Sequence, residues 1–118
     1  MRILVIDDLR TVSEADSIAK NRSKWYSENC HDMDSFVLIN NFEDARKEFE
    51  TNSYFDVLLL DHDLGSANVY NDGSALLKIL EERKFLEGFK KFSKIIPVSS
   101  NPVGIKRIRE ISERLERD

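Results

Sequence analysis

The chain has 118 residues, of which 41% are hydrophobic and 34% are charged, with a formal net charge of −4. That length supports one buried core but not two, so we expect a single domain over residues 1–118. The acidic balance argues against duplex DNA as a partner, and it leaves open recognition of one phosphate or one nucleic-acid end. Cys30 has no second cysteine to pair with. The lack of a signal-peptide pattern or a membrane-length apolar run predicts a cytoplasmic protein without membrane contact.

Four short apolar segments predict β-strands. Residues 3–6 and 57–60 are uninterrupted apolar runs, which are typical of central strands covered on both faces of a parallel sheet. Residues 36–39 predict a further strand, and residues 94–99 predict the last one. Because Pro97 lacks the N–H that a sheet ladder needs, it places the last strand at an edge of the sheet.

A helical segment is predicted after each strand. The first covers residues 11–28 with a weak apolar stripe. The other three are marked by capping residues, which are Asn40 and Asn41 for the second, Asp72 and Gly88 for the third, and Asn101 and Pro102 for the fourth. This alternation predicts a three-layer α/β fold with a four-stranded parallel sheet in the order 2-1-3-4. Residues 65–71 form a polar loop long enough to cover a site.

Carboxylates follow the two central strands. Asp7 and Asp8 come directly after the first strand, and Asp61 comes directly after the third. The carboxyl ends of neighbouring parallel strands meet at one edge of the sheet, where open α/β sheets bind their ligands. Three ionised carboxylates in a partly buried cleft repel one another, and a Mg²⁺ ion held by Asp7, Asp8 and Asp61 would relieve that repulsion. The alternative is that one or two of them only cap turns.

His62 and Asp63 continue the chain beyond Asp61. In an extended strand His62 faces away from Asp61, so it is either a general acid or base or a hydrogen-bonded packing residue. Asp63 likewise fits either acid–base chemistry or a turn cap. His31 lies in a predicted loop and is expected to be solvated. No Cys/His spacing indicates zinc.

Polar residues at the end of the last strand form a candidate phosphate site. Ser99, Ser100 and Asn101 precede a helix whose first free amides can bind an anion, although the same residues also fit a simple helix cap. Arg10, which follows the first strand, either binds the same phosphate or pairs with Asp8.

Three motifs resemble those of known families. Response-regulator receiver domains share the acidic pair, the aspartate after the third strand and a hydroxyl residue after the fourth. The resemblance is closer to the cyclic-phosphate processing receiver domains, through residues 7–10 (Asp-Asp-Leu-Arg), 61–65 (Asp-His-Asp-Leu-Gly) and 99–104 (Ser-Ser-Asn-Pro-Val-Gly). It implies a receiver or flavodoxin-like fold and action on cyclic phosphates such as 2′,3′-cyclic RNA ends. Many such small proteins occur in bacteria and phages.

Two departures from those families bear on function. The position before Ser99, usually histidine in the cyclic-phosphate family, is Val98. If that histidine takes part in proton transfer, we expect an enzyme that is slow, altered in substrate or inactive. Receivers also have a fifth strand ending in an essential lysine, whereas this sequence ends one strand–helix unit earlier, which argues against a phosphorylation switch.

The leading hypothesis is a Mg²⁺-dependent phosphoesterase that acts on a small phosphate-containing ligand or a nucleic-acid end. Its candidate catalytic residues are Asp61, His62 and Asp63. One alternative is a switch in which Asp61 accepts a phosphoryl group and Ser99 reports it. Another is a non-enzymatic binding module. The edge of the fourth strand predicts a monomer or a weak dimer through that edge.

Overall fold

The computed structural model describes residues 1–30, 34–65 and 71–117. His31 and most of the predicted loop over residues 65–71 lie outside this part of the chain. The strands are β1 (Arg2–Ile6), β2 (Ser35–Ile39), β3 (Phe55–Leu60) and β4 (Phe92–Pro97). The helices are α1 (Val12–Arg22), α2 (Lys24–Asn29), α3 (Phe42–Phe49), α4 (Gly73–Glu87) and α5 (Pro102–Glu116).

The strands form one parallel sheet in the order β2-β1-β3-β4. This confirms the predicted receiver or flavodoxin-like α/β fold and its strand order. The register pairs Ile6 with Leu60 at the carboxyl ends of the two central strands. The residues that follow these two positions therefore begin side by side, because parallel strands run in the same direction.

Alternating side chains of the central strands build two cores, one on each face of the sheet. Ile3 and Val5 face α1 and α2, where they meet Tyr26 and the small residues of α1. Leu4 and Ile6 face the opposite layer, which α3, α4 and α5 form together. The side chains of Ile3, Leu4, Val5 and Ile6 are all fully buried, and each contributes roughly 1.5–3 kcal/mol by leaving water. The two-sided burial explains why these strands lack polar alternation.

The prediction of one continuous helix over residues 11–28 is wrong, because the segment breaks at Ser23. Ser23 has an extended backbone with φ of −125°, and it ends α1 while it caps α2. Its hydroxyl accepts the Tyr26 amide at 3.1 Å, which replaces the helical bond that the break removes. The resulting turn lets the Tyr26 ring lie fully buried while its hydroxyl donates to Asp16. No helix in the described ranges has the length and hydrophobicity to cross a bilayer.

β4 is an edge strand, as Pro97 predicted, but it ends at Pro97 rather than at Ser99. Side chains from both helical layers reach its outer backbone groups. The Ile95 N–H donates to Glu116 Oε1 at 2.7 Å. The Arg22 guanidinium donates to the carbonyl of Ser99 at 2.7 Å and to that of Pro97 at 3.4 Å. These contacts occupy groups that a further strand would use, and the predicted dimer through this edge stays a prediction.

Candidate active site

The three predicted metal ligands lie together at the carboxyl edge of the sheet. Each of Asp7, Asp8 and Asp61 offers an oxygen atom, and these atoms all lie within 4.8 Å of one another. The backbone fixes two of them, because the Asp7 N–H donates to Ile39 at 3.2 Å and the Asp61 N–H donates to Ile6 at 2.9 Å. Asp7 is fully buried and Asp61 is 5% exposed. The sheet therefore holds the carboxylates close together out of bulk water.

Arg10 is the cation that the structure places beside this cluster. Its Nη1 atom is 3.1 Å from Asp7 Oδ2 and 3.8 Å from Asp61 Oδ1. Its Nη2 atom donates to Ser100 Oγ at 2.6 Å. Arg10 therefore pairs with Asp7 and Asp61 rather than with Asp8, the partner that the sequence suggested. Arg10 joins the loop after β1 to the loop after β4, so the predicted phosphate residues Arg10 and Ser100 meet next to the carboxylates.

The three carboxylates are not equally satisfied. Asp7 also caps the turn after β1, because its Oδ1 atom accepts the Leu9 and Arg10 N–H groups at 3.0 and 2.9 Å. Asp8 Oδ1 is buried and has no hydrogen-bond partner among the described residues. A buried carboxylate oxygen without a donor is costly, so it points to a cation as its missing partner. Burial, and then the charge of Asp7, raise the pKa of Asp61 to about 6 against the opposing effect of Arg10. An all-oxygen donor set fits a hard divalent cation, which Asp7, Asp8 and Asp61 would hold.

Two glycines let the surrounding loops approach the cluster. Gly65 has φ of +65°, and a Cβ atom there would lie 2.6 Å from Asp8 Oδ2. A Cβ atom on Gly73 would lie 2.4 Å from the Asp61 carbonyl oxygen, and the Gly73 N–H donates to the His62 carbonyl at 2.8 Å. Gly65 is the last residue of the Asp-His-Asp-Leu-Gly motif at residues 61–65. The role of Gly73 was missed, since its only sequence signal is its position directly after the Asp72 cap.

The His62 ring lies between the N-terminal ends of α4 and α5. Nδ1 is 3.0 Å from Asp63 Oδ1, and Nε2 is 3.3 Å from Asp72 Oδ2 without the alignment of a hydrogen bond. A Cβ atom on Gly104 would lie 2.4 Å from His62 Cγ. The residue is 6% exposed, and the carboxylates of Asp63 and Asp72 lie beside its two ring nitrogens. These contacts favour the packing interpretation of His62.

Ser99 and Asn101 shape the loop that carries Ser100. Ser99 is fully buried, and its hydroxyl accepts the Asn101 N–H at 3.0 Å. Asn101 Oδ1 accepts the Val103 and Gly104 amides, which caps α5, while Nδ2 lies 3.5 Å from Asp63 Oδ2. The geometry therefore favours the cap interpretation for both residues, and their binding of phosphate stays a prediction.

Val98 occupies the position where the family usually has histidine. Its side chain is fully buried in the core under α1 and α2. Its N–H donates to the Leu60 carbonyl at 2.9 Å, which continues the β3–β4 ladder by one residue. The valine is thus an ordinary core residue of this chain.

The parallel sheet and the acidic carboxyl edge define a receiver-like α/β domain. More narrowly, the chain belongs to the cyclic-phosphate processing receiver domains, because the model of that family matches residues 2–114. No curated protein matches the chain. It is similar to a solved structure described as the yeast Spc42 trimeric coiled coil fused to another structure. The identity is 18% and the TM-score 0.54, over 93% of this chain and 62% of that one. This likeness supports the fold alone.

Gly104→Ala is expected to lower the free energy of unfolding by about 1–3 kcal/mol, because the new methyl group overlaps the His62 ring. An ordinary helical glycine would gain up to about 1 kcal/mol from the same change. Urea unfolding of Gly104→Ala, His62→Ala and the double variant measures the coupling. Truncation of His62 to alanine removes the overlap with the ring but keeps the residue's own Cβ atom, which would lie 2.5 Å from the new methyl group, so the loss at position 104 should become smaller without vanishing. An equal loss in both backgrounds would show that the ring contact is not the cause.

Asp61 gives the metal-free protein a pH-dependent stability. Its pKa is raised from 3.8 to about 6 on folding, so the folded state binds the proton more tightly. The free energy of unfolding should therefore fall as the pH rises between those two values, and the penalty is fully present at pH 7. Asp61→Asn removes the charge. In EDTA at pH 7 we expect it to stabilise the protein by about 1–3 kcal/mol and to flatten this slope.

Urea denaturation from pH 4 to pH 7 measures this effect. Glu82→Gln, which neutralises an exposed carboxylate on α4, is the control and should keep the wild-type slope. Adding Mg²⁺ at pH 7 should stabilise the wild type, because a ligand that binds the folded state shifts the equilibrium towards it. If Asp61→Asn kept the wild-type dependence of the free energy of unfolding on pH, Asp61 would not be the group responsible for it.

Proposed function

We propose that this domain is a Mg²⁺-dependent phosphoesterase that acts on cyclic phosphates of nucleotides or nucleic-acid ends in the cytoplasm. The observation that supports it is the cluster of Asp7, Asp8 and Asp61 within 4.8 Å, with Asp8 Oδ1 buried and unpartnered. Membership of a family described as cyclic-phosphate processing supports the substrate class. Bound among these carboxylates, Mg²⁺ would polarise a phosphoryl oxygen and activate water.

Arg10 and Ser100 provide the adjoining phosphate contacts in this proposal. The guanidinium has one side on Asp7 and the other on Ser100, so it is held in place at the rim of the carboxylate cluster. A guanidinium presents several N–H donors in a fixed plane, which suits a phosphate with several oxygen acceptors. Ser99 and Asn101 have an indirect role in this proposal, because their hydrogen bonds fix the turn that presents Ser100.

Asp63 is the better candidate for acid–base catalysis, with His62 as its positioning residue. The Asp63 side chain is 67% exposed beside the site, whereas the His62 side chain is 8% exposed. His62 Nδ1 contacts one Asp63 oxygen, and Asn101 approaches the other. A general acid or base must reach the proton that it transfers, and Asp63 has the accessible oxygens. Val98 implies that this chemistry does not use a histidine at position 98.

Phosphorus NMR tests the proposed activity. With Mg²⁺, wild-type protein should open nucleoside 2′,3′-cyclic phosphates or cyclic-ended RNA to phosphomonoesters. Asp61→Ala and EDTA should each lower the rate at least about 100-fold, since both remove the metal-dependent step. Glu82→Gln should keep the wild-type rate. Turnover by wild type no faster than by Asp61→Ala would reject the proposal.

Intact mass after incubation with acetyl phosphate separates the other two hypotheses. A mass gain that depends on Asp61, without turnover, would favour the phosphoacceptor switch. Neither mass gain nor turnover, together with no Mg²⁺-dependent stabilisation, would favour the non-enzymatic binding module.

Asp63→Asn should reduce kcat by about 100-fold to 10,000-fold and remove one limb of the pH profile of kcat/KM, because amides do not transfer protons at neutral pH. His62→Gln should cause a smaller loss and keep that limb, since it changes only how Asp63 is held. Steady-state kinetics from pH 5 to pH 9 give both results. Loss of the limb in His62→Gln alone would make His62 the acid–base residue instead.

A further inference from the structure

A groove runs along the outer edge of β4, between the end of α1 and the face of α5. We call it the β4 groove. Its volume is about 240 Å³, and its charged lining residues are Arg22, Lys94, Arg109, Glu113 and Glu116. The candidate active site described above uses none of these five residues.

The β4 groove is poorly suited to an added β-strand. Pro97 has no N–H, and the Ile95 N–H is already bonded to Glu116. The carbonyls of Pro97 and Ser99 both accept from Arg22. A ligand here would therefore meet side chains rather than a free backbone ladder, and the chemistry of those side chains decides what binds.

The charges of the β4 groove favour an anion. The Glu116 carboxylate already has partners, because Oε1 accepts a hydrogen bond from the Ile95 N–H and Oε2 lies 3.8 Å from the Lys94 ammonium group. Glu113 is the remaining acidic group of the lining, against Arg22 and Arg109. Partial desolvation, and then the like charges of Arg10 and Arg109, lower the pKa of Arg22. The guanidinium groups stay charged, so an anion between them would relieve their repulsion.

The β4 groove begins next to the candidate active site. Arg22 holds the carbonyl of Ser99, and the following residue, Ser100, accepts from Arg10. Arg10 in turn contacts Asp7 and Asp61. A nucleic-acid strand whose terminal phosphate lies beside Arg10 would thus place its next phosphodiester towards Arg22 and Arg109.

We propose that the β4 groove is a second phosphate subsite, which binds the phosphodiester next to the terminal phosphate of a single-stranded nucleic-acid substrate. Arg109 is its specificity-determining residue, since Arg22 is also needed to satisfy the backbone of β4. The inference rests on the proposed function in one respect, namely that the terminal phosphate lies at the carboxylate cluster. It implies that short oligonucleotides bind better than mononucleotides.

Calorimetry with two product-state ligands in Mg²⁺ tests this subsite. The probes are uridine 3′-monophosphate and a uridine trinucleotide with a 3′-terminal phosphate. Wild type should bind the trinucleotide about 5-fold to 10-fold more tightly, as one charge-assisted contact at a partly exposed site would give. Arg109→Gln should reduce that preference to about 2-fold and leave mononucleotide binding unchanged. The slope of log affinity against log salt for the trinucleotide should fall by about 0.7.

Arg107→Gln is the matched control, because it removes the same charge from an exposed position of α5 outside the β4 groove. It should keep the full preference for the trinucleotide. Equal losses in the two variants would mean a general charge effect and would overturn the subsite. An Arg109-dependent preference without any turnover would retain the subsite while the proposed hydrolysis fails. Turnover without a trinucleotide preference would support hydrolysis and reject the subsite.

Discussion

The repulsion among Asp7, Asp8 and Asp61 is the constraint on which the arrangement of this domain depends. Their oxygens lie within 4.8 Å of one another with Arg10 as a partial counter-charge. Such a cluster separates unless something rigid holds it. The parallel ladder does so, because it fixes the backbones of Asp7 and Asp61 on adjacent strands. The two cores hold the ladder in turn. Burial of β1 and β3 on both faces thus stabilises a charge arrangement that opposes folding.

Close packing around the cluster limits what the loops can be made of. Gly65, Gly73 and Gly104 each leave room where a Cβ atom would fall within 2.6 Å of a neighbouring atom. They lie in three separate segments, before and inside α4 and at the start of α5. The starts of α4 and α5 therefore converge on the loop after β3, which in turn approaches Asp8 at Gly65, and none of these segments can carry a side chain at the contact. His62 fills the space that remains between the two helix ends, which ties its position to the placement of Asp63.

Hydrophobic periodicity and the predicted strand order were sufficient to predict much of the fold and the carboxylate cluster. Apolar runs identify central strands, and parallel strands bring their carboxyl ends together, so the grouping of Asp7, Asp8 and Asp61 is predictable from the sequence alone. The break at Ser23 could not, because serine is tolerated inside helices and here the burial of Tyr26 decides the turn. The partners of Arg10, and the choice between the two interpretations of His62, could not be predicted either. Side-chain direction after a strand end depends on loop geometry, which has no period.

The edge of β4 shows how one side chain can serve the fold and a ligand together. Pro97 indicates an edge from sequence, but the groups that cover it come from α1 and α5, distant along the chain. Arg22 satisfies two carbonyls there, and its charge adds to those of Arg10 and Arg109. Covering the edge with arginine rather than with an apolar side chain leaves a cationic surface next to the loop that carries Ser100. Under the proposed function, a nucleic-acid strand that extends from the carboxylate cluster along β4 would meet this positive charge, so the arginine contacts that hinder strand pairing would also attract the substrate.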